Sequence, residues 1–185
     1  SYNLTTAMQA AAIKDGGIAL LIAADQEGGT VYRLGSGTAL PGNMALGATY
    51  ENSGTVHAYN AGKIIGSELG VLGINTNLAP VVDVNNNANN PVIGLRSFGD
   101  EATMVGELAS AVIAGLAEYN VIGTAKHFPG HGDTATDSHY GLPIVDKSLD
   151  VLMENELKPY SVAIDQGIEM IMTAHILYPQ LESDK

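Results

Sequence analysis

Cysteine is absent from this 185-residue chain, and basic residues are scarce, since eight Lys and Arg stand against twenty Asp and Glu. Without cysteine the chain forms no disulfide and uses no thiolate chemistry, which suits a reducing cytosol and a cysteine-poor secreted protein alike. The formal net charge of -12 opposes binding to nucleic-acid phosphates and to anionic lipid surfaces. We therefore expect neither nucleic acid nor a membrane as partner, and the compartment stays open.

Long hydrophobic runs are also missing. Gly, Asp and Gln interrupt the apolar stretches before they reach the length that spans a bilayer. The hydrophobic content of 45% and the length of 185 residues are nevertheless typical of one globular domain with a sizeable core. Ser1 does not begin a signal peptide, because no charged segment precedes an apolar one. The absence of an initial methionine leaves open that upstream sequence has been removed.

Four apolar runs share one pattern, in which the run ends abruptly in polar residues. The pattern predicts buried strands with polar carboxyl ends. The runs cover residues 17–24, 74–84, 121–125 and 168–174.

Helical spacing of apolar residues separates these runs. It predicts helices over 51–72, 100–119 and about 148–166, after a helical segment from Asn3 to Lys14. Pro159 predicts a break or a new helix start in the third of them. A ridge of small residues in the first predicts close approach to a sheet: Ala58, Gly62, Gly66 and Gly70.

Alternation of strands and helices without hairpin signals predicts an α/β fold with a parallel sheet. A (β/α)8 barrel of the TIM type normally takes about 250 residues. We therefore expect a partial barrel with about four strands over residues 1–185. An open doubly wound sheet is the competing architecture, but the G-x-G-x-x-G fingerprint is missing.

The segment KHFPGHGDTATDSHYG, residues 126–141, is the richest in chemistry. Five of its side chains are potential zinc ligands: His127, His131, Asp133, Asp137 and His139. However, Pro129, Gly130 and Gly132 predict a loop, in which two histidines four residues apart do not share a helical face. A metal site is therefore disfavoured, and a loop that hydrogen-bonds to itself is a further alternative.

Asp137 and His139 favour proton transfer instead. A carboxylate two residues from an imidazole can accept the proton of one ring nitrogen and raise the basicity of the other. Such a pair transfers protons near neutral pH.

Residues 25–29, Asp-Gln-Glu-Gly-Gly, place two carboxylates at a predicted strand end, and the alternative interpretation is a helix N-cap. Arg33 and Arg96 follow Gly-rich or polar loops, which favours contacts with a polar ligand over surface ion pairs. His175 lies at another strand end, where a core histidine and a ligand contact are equally reasonable.

Four motifs, taken in order, resemble the β-N-acetylglucosaminidases of glycoside hydrolase family 3. They are DQEGG at 25–29, GLRSFG at 94–99, KHFPGHGDTATDSH at 126–139 and MTAH at 172–175. The resemblance implies a (β/α)8-type catalytic domain that acts on terminal β-linked N-acetylglucosamine, often from peptidoglycan or chitin-type fragments, without metal or cofactor.

The resemblance also implies roles for individual residues. His139 resembles the general acid/base, and Asp137 resembles the carboxylate that orients it. The residues that the resemblance places on the substrate, chiefly on its hydroxyl groups, are Asp25, Arg33, Arg96, Lys126, His127 and His175.

The chain departs from the family pattern at the nucleophile. A retaining glycosidase commonly sets two carboxyl groups about 5 to 5.5 Å apart, and the family's nucleophilic aspartate lies in a later motif resembling TDxM or TDSL. No such motif follows His175, and Asp184 follows no predicted strand. The family's first barrel strand, expected before DQEGG, is also missing.

We therefore expect a hydrolase fragment that lacks the nucleophile, turns over poorly, and associates with itself through exposed sheet edges. The alternatives are a carbohydrate-binding or structural module without chemistry, and a metal-dependent hydrolase.

Overall fold

The computed structural model describes residues 2–135 and 141–181. Its strands are β1 (Ala23–Ala24), β2 (Thr76–Asn77), β3 (Ile122–Phe128) and β4 (Met170–Thr173). Its α-helices are α1 (Tyr2–Ile13), α2 (Asn43–Gly47), α3 (Tyr50–Ser53), α4 (Val56–Val71), α5 (Ala102–Ala117), α6 (Leu149–Glu154) and α7 (Lys158–Asp165). Short 3₁₀ turns lie at Lys14–Gly16 and Gly94–Arg96.

All the described strands run parallel, in the order β1-β2-β3-β4. Helical connections separate each strand from the next, with α4 before β2, α5 before β3, and α6 and α7 before β4. The predicted α/β class with four parallel strands is therefore confirmed, and the open sheet agrees with a partial (β/α)8 barrel. None of the helices within the described ranges is long and apolar enough to cross a membrane.

The first predicted strand, residues 17–24, was expected to be buried, and this expectation is wrong for most of its length. Only Ala23 and Ala24 pair with β2. Ile18 is 89% exposed and Leu21 is 62% exposed. The backbone of Leu20 bonds to a side chain and not to a neighbouring strand. Nε2 of Gln9 donates to the carbonyl of Leu20 at 2.8 Å, and the nitrogen of Leu20 donates to Oε1 of Gln9 at 2.9 Å.

The third strand is longer than the sequence predicts. The apolar run ends at Ala125, but β3 continues to Phe128, so that Lys126 and His127 belong to the strand. Pairing with β4 shifts register between Lys126 and Phe128, and the peptide bond between Lys126 and His127 is cis. The polar residues of this strand end are therefore held by the sheet, not by a loop.

The small-residue ridge of α4 packs on α5, and the predicted approach to a sheet is wrong. A Cβ added to Gly62 would lie 2.2 Å from the carbonyl oxygen of Val112, and one added to Gly115 would lie 2.2 Å from that of Tyr59. The two helices touch backbone to backbone because neither glycine carries a side chain. The core beside this contact is built from aliphatic residues of the helices and the sheet: Ile65, Leu69, Val82, Val105, Leu108, Leu116 and Ala125.

The third helical region divides as Pro159 predicts. Helix α6 ends at Glu154, and α7 begins at Lys158 with the proline in its first turn. A proline there costs no hydrogen bond, since the first N–H groups of a helix have no intrahelical partner.

Candidate active site

Charged side chains meet where the parallel strands end. Asp25 follows β1, Lys126 and His127 lie at the end of β3, and Asp83 lies two residues beyond Val81, which bridges to Lys126. Because carboxyl ends of parallel strands share one edge, residues about 40 to 100 positions apart in sequence become neighbours. The side chains at this edge form two groups, one around Lys126 and one around His127.

Lys126 lies at the centre of the first group and is 2% exposed. Its Nζ is 2.5 Å from Oδ1 of Asp25 and 2.6 Å from Oε1 of Glu27. Arg96 binds the same Glu27 carboxylate with two N–H groups, Nη2 to Oε1 at 2.7 Å and Nε to Oε2 at 2.9 Å. We call these four side chains the charge cluster.

Electrostatics favour the ionised forms of Glu27 and Arg96. Burial alone would raise the pKa of Glu27, but the hydrogen bonds and positive charges of Arg96 and Lys126 outweigh it and hold that pKa below its ordinary value. Burial would likewise lower the pKa of Arg96, and the bonds and charge of Glu27 raise it instead. Two cations and two carboxylates therefore hold fixed positions at the strand ends.

Arg96 is held by the backbone as well as by Glu27. Its Nη1 donates to the carbonyl of Val92 at 3.2 Å, and its own carbonyl accepts from Nδ2 of Asn43 at 2.7 Å. Arg96 ends the 3₁₀ turn Gly94–Arg96, so its backbone and its side chain are both held. The ion pair of Arg96 is thus largely buried and is not a surface pair.

The second group is organised by Asp83, whose side chain is fully buried. Its Oδ2 lies 2.7 Å from Nδ1 of His127. Its Oδ1 accepts from the backbone nitrogen of His127 at 3.2 Å and from that of His131 at 2.7 Å. One carboxylate therefore ties an imidazole at the end of β3 to the turn that follows.

His131 faces inward and bonds within its own turn. Its Nδ1 is 2.7 Å from Oγ1 of Thr134, and burial lowers the pKa of its imidazole. Asn90 donates to the carbonyls of His131 and Gly132 at 2.8 and 3.0 Å. A Cβ on Gly132 would lie 1.7 Å from the carbonyl oxygen of Val84, so only glycine permits this packing.

Lys147 joins the chain on the two sides of residues 136–140. Its Nζ lies 2.7 Å from Oδ2 of Asp133 and 2.5 Å from Oε1 of Glu156, which also accepts from Asn86 at 2.7 Å. Asp137 and His139, the predicted proton-transfer pair, lie outside the described residues.

Residues 25–29 form a tight turn. The nitrogen of Glu27 donates to the carbonyl of Val31 at 3.0 Å, and Gly28 and Gly29 adopt positive φ angles of 85° and 59°. Because α2 begins only at Asn43, the alternative that this motif caps a helix is wrong.

Arg33 and His175 are not brought into the charge cluster. Arg33 is exposed, and its backbone nitrogen donates to Oε1 of Gln26 at 2.7 Å. Its guanidinium makes no ion pair with any residue in 2–135 or 141–181. His175 is also exposed, two residues beyond the end of β4. Their substrate contacts stay predictions.

Two charged residues of the site were not nominated from the sequence. Glu27 stands in the same motif as Asp25, and Asp83 lies near the end of the apolar run 74–84. An acidic residue at or just beyond the end of a predicted strand was therefore the signal available for both. As for metal binding, the described part of the chain contains no group of three or more His, Asp or Glu side chains arranged to hold an ion.

The fold and this edge define a parallel α/β domain of barrel type with a charged site at its strand ends. Residues 2–185 match the family described as Glycosyl hydrolase family 3 N terminal domain, and the chain belongs to that family.

Relatives and solved structures agree with this assignment. The chain is 46% identical to Beta-hexosaminidase A of Pseudoalteromonas piscicida, over 99% of this chain and 31% of the relative. A glycoside hydrolase family 3 beta-N-acetylglucosaminidase from Paenibacillus sp. str. FPU-7 superposes with a TM-score of 0.93 at 47% identity, over 100% of this chain and 35% of that one. NagZ from Neisseria gonorrhoeae, in complex with N-trifluoroacetyl-D-glucosamine, gives 0.88 at 36% identity, over 98% and 53%. The chain thus spans about a third to a half of these proteins.

Proposed function

We propose that this domain belongs to a retaining β-N-acetylglucosaminidase that hydrolyses terminal β-linked N-acetylglucosamine from peptidoglycan or chitin-type fragments. The charge cluster is the observation that carries the proposal, since it fixes ionised donors and acceptors at the carboxyl ends of the strands. A neutral, hydroxyl-rich sugar is bound by hydrogen bonds to such donors and acceptors. The N-trifluoroacetyl-D-glucosamine bound to the similar Neisseria protein supports the same ligand class.

The site offers bonding capacity that its internal contacts leave unused. Asp25 is one-third exposed, and one of its oxygens contacts Lys126, so its other oxygen is available to a sugar hydroxyl. Lys126 carries three N–H donors, of which two are matched by Asp25 and Glu27 within the described residues. Nε2 of His127 is a third group that can bond the sugar. Arg33 and Arg96 are proposed to contact the substrate alongside them, as is His175.

The chemical step follows the two-stage scheme of retaining glycosidases. His139, oriented by Asp137, gives a proton to the departing glycosidic oxygen while a carboxylate attacks the anomeric carbon. The same imidazole then removes a proton from the water that cleaves the glycosyl-enzyme intermediate, and so regains its own proton.

We further propose that the attacking carboxylate is not one of the acidic residues described at this edge. Glu27 is bound by Lys126 and Arg96, and Asp83 is fully buried against His127. Asp25 keeps one oxygen free, but the proposal assigns that oxygen to a sugar hydroxyl and not to the anomeric carbon. The 185-residue chain alone is therefore expected to hydrolyse poorly or not at all.

The first test compares leaving groups in the full-length protein that carries this domain. The His139→Ala variant is assayed on a p-nitrophenyl N-acetyl-β-glucosaminide and on a disaccharide with a poor leaving group. Loss of general acid catalysis predicts a drop of about 10²–10⁴-fold on the disaccharide and a much smaller drop in glycosyl-enzyme formation from the activated substrate. Equal losses on both substrates would contradict the acid role.

The second test concerns the nucleophile. A fluorinated glycosyl donor traps the covalent intermediate, and peptide mapping locates the label. The proposal predicts a labelled aspartate outside residues 1–185, and a label on any residue of this chain would refute it.

A non-catalytic carbohydrate-binding module is the second candidate, favoured by the same engaged carboxylates. It predicts that the full-length protein binds N-acetylglucosamine but releases no nitrophenol. A metal-dependent hydrolase instead predicts stoichiometric metal in the purified protein and loss of turnover on chelation.

A further inference from the structure

The contact between Asp83 and His127 sets the direction of a hydrogen bond at the site. The Asp83 side chain is fully buried, and its Oδ2 lies 2.7 Å from Nδ1 of His127. Nε2 makes no hydrogen bond with any residue in the described parts of the chain, and the His127 side chain is 18% exposed. Nδ1 is thus bonded to Asp83, and Nε2 is available to a ligand.

The chemistry of the carboxylate decides which ring nitrogen carries the proton. Oδ1 of Asp83 accepts two backbone N–H groups, from His127 and His131. A carboxylate oxygen accepts hydrogen bonds, so Nδ1 of His127 donates to Oδ2 of Asp83. In the neutral imidazole the proton then resides on Nδ1, which leaves a lone pair on Nε2.

We propose that Asp83 is a positioning residue that fixes His127 as a hydrogen-bond acceptor toward the substrate, so that the site selects a sugar hydroxyl that donates at that position. This inference rests on the proposed function for the identity of the ligand. The orientation of His127 by Asp83 does not depend on it.

The same carboxylate also ties the strand end to the turn beyond it. The backbone nitrogens of His127 and His131 hold Oδ1 of Asp83, and Oδ2 of the same carboxylate contacts Nδ1 of His127, so the imidazole cannot rotate away without breaking a buried contact. The two cations at this edge, Arg96 and Lys126, point their N–H donors at the carboxylates of Glu27 and Asp25. Nε2 of His127 therefore adds a second acceptor to the one that the free oxygen of Asp25 offers.

The first experiment reads the proton directly in the full-length protein. Nitrogen-15 NMR of labelled histidine at about pH 8, above the ordinary imidazole pKa of about 6.5, distinguishes protonated from bare ring nitrogens. A His127→Gln spectrum assigns the signals. The proposal predicts a protonated Nδ1 and a bare Nε2, and a proton on Nε2, alone or in an imidazolium, would overturn it.

The Asp83→Asn variant should reverse which ring nitrogen of His127 carries the proton. Its amide oxygen can still accept from the two backbone nitrogens, while its NH₂ group faces Nδ1 of His127 and donates to it. The proton of His127 is then expected to move to Nε2, which becomes a donor. Asp146→Asn is the control, because Asp146 is exposed and its carboxylate bonds only to Gln180 at 2.9 Å among the described residues. It should leave the His127 signals unchanged.

The second experiment reads the consequence for the ligand. Deoxyfluoro derivatives of N-acetylglucosamine, substituted at position 3, 4 or 6, are tested as inhibitors. At the one position that faces His127, fluorine cannot donate, and wild-type inhibition should weaken by about tenfold, as expected when a buried acceptor loses its donor. In Asp83→Asn the penalty at that position should shrink, while the penalties at the other two positions stay as in the wild type.

The two experiments separate the proposals. Identical fluorine penalties in the wild type and in Asp83→Asn would overturn the selection of a donating hydroxyl by Asp83. If no N-acetylglucosamine derivative binds the wild-type protein, the proposed function fails, and the substrate part of this inference fails with it. The NMR measurement still decides in that case whether Asp83 sets the proton on His127.

Discussion

Nζ of Lys126 lies 2.6 Å from Oε1 of Glu27, and both side chains are 2% exposed. A buried ion pair is not in itself a strong source of stability, because the desolvation of both charges offsets their attraction. Removal of one partner is costly, however, since the other charge is left buried without its neighbour. Lys126, which is proposed to bind the sugar, is therefore also a residue on which the fold depends.

Substitution of Lys126 tests this dependence. Lys126→Met keeps the length of the side chain but leaves Asp25 without its partner and Glu27 with Arg96 alone. We expect the free energy of unfolding at pH 7 to fall by about 3–5 kcal/mol, measured by urea denaturation. Lys14→Met, in an exposed turn, should change it by less than about 0.5 kcal/mol. Equal changes in the two variants would contradict the structural role of Lys126.

The lowered pKa of Glu27 predicts a dependence of stability on pH. A carboxyl group whose pKa is lower in the folded state contributes stability that is fully present above its ordinary pKa, here 4.5. That contribution is lost as the pH falls through the folded-state value. The difference in unfolding free energy between wild type and Glu27→Gln should therefore stay constant from about pH 7 to pH 5 and shrink below that.

Glu51→Gln serves as the control for this series, because Glu51 is exposed on α3. At pH 7 it should alter the unfolding free energy by less than about 0.5 kcal/mol. A Glu27→Gln difference that grows toward acid pH would show that Glu27 is not held ionised by Arg96 and Lys126.

The sequence allowed a prediction of where the site lies, but not of how its charges pair. Asp25 and Lys126 were found because each ends an apolar run at a predicted strand end. The pairing of Glu27 with Arg96 joins residues 69 positions apart and depends on the 3₁₀ turn Gly94–Arg96. No local pattern encodes such a contact, since it arises only when the folded chain brings the turn Gly94–Arg96 to the residues that follow β1.

The elements of the fold could also be predicted from the sequence, but not all of their packing partners. Periodicity identified the strands and the long helices, because burial of one face leaves a repeating signal. It did not identify which neighbour the glycines of α4 face, since close packing on a helix and on a sheet both require small residues. It also overestimated β1, because apolar residues such as Ile18 and Leu21 remain exposed where no described element covers them.

Two glycines of α4 provide a matched test of the helix contact. Alanine in a helix interior is ordinarily more stable than glycine by about 1 kcal/mol. Gly70→Ala, in the last turn of α4, should be neutral or stabilising by up to about that amount, since its Cβ would lie 3.6 Å from the carbonyl oxygen of Tyr119, an ordinary contact. Gly62→Ala should destabilise by about 1–3 kcal/mol instead, because its Cβ would lie 2.2 Å from the carbonyl oxygen of Val112. Thermal denaturation of both variants measures the difference, and a stabilised Gly62→Ala protein would refute the backbone contact between α4 and α5.

Exposed apolar residues before β1 predict self-association of the 185-residue chain. Ile18 and Leu21 are exposed apolar residues beside β1, which is at one end of the described strand order and pairs only with β2, and such edges recruit other chains. Sedimentation velocity at increasing protein concentration should show oligomers. The Ile18→Glu, Leu21→Glu double variant should shift the population toward monomer, because it places charge on that edge. Val71→Glu, on an exposed position of α4, is the control, and an equal shift in both proteins would locate the interface elsewhere.

Arg96 and Arg33 are both predicted to face the substrate, but they differ in their contacts with the rest of the protein. The Arg96 side chain is bound by Glu27 and Val92, whereas the Arg33 side chain is exposed. Arg96→Lys keeps the positive charge and loses the two-pronged bond to Glu27 and the bond to the carbonyl of Val92. We expect it to lower the unfolding free energy by about 1.5–3 kcal/mol, the range for hydrogen bonds to charged groups. Arg33→Lys should change stability by less than about 0.5 kcal/mol, because the Arg33 side chain is exposed.

Kinetics of the full-length protein then separate substrate contact from structural support for these two arginines. If Arg33 binds the sugar, Arg33→Lys raises KM for an N-acetyl-β-glucosaminide while its denaturation midpoint stays that of the wild type. Arg96→Lys should change KM and the midpoint together, because the same guanidinium holds Glu27 in the charge cluster. An unchanged KM in Arg33→Lys would remove Arg33 from the substrate-binding residues. An unchanged denaturation midpoint in Arg96→Lys would show that the paired hydrogen bonds from Arg96 to Glu27 contribute little to stability.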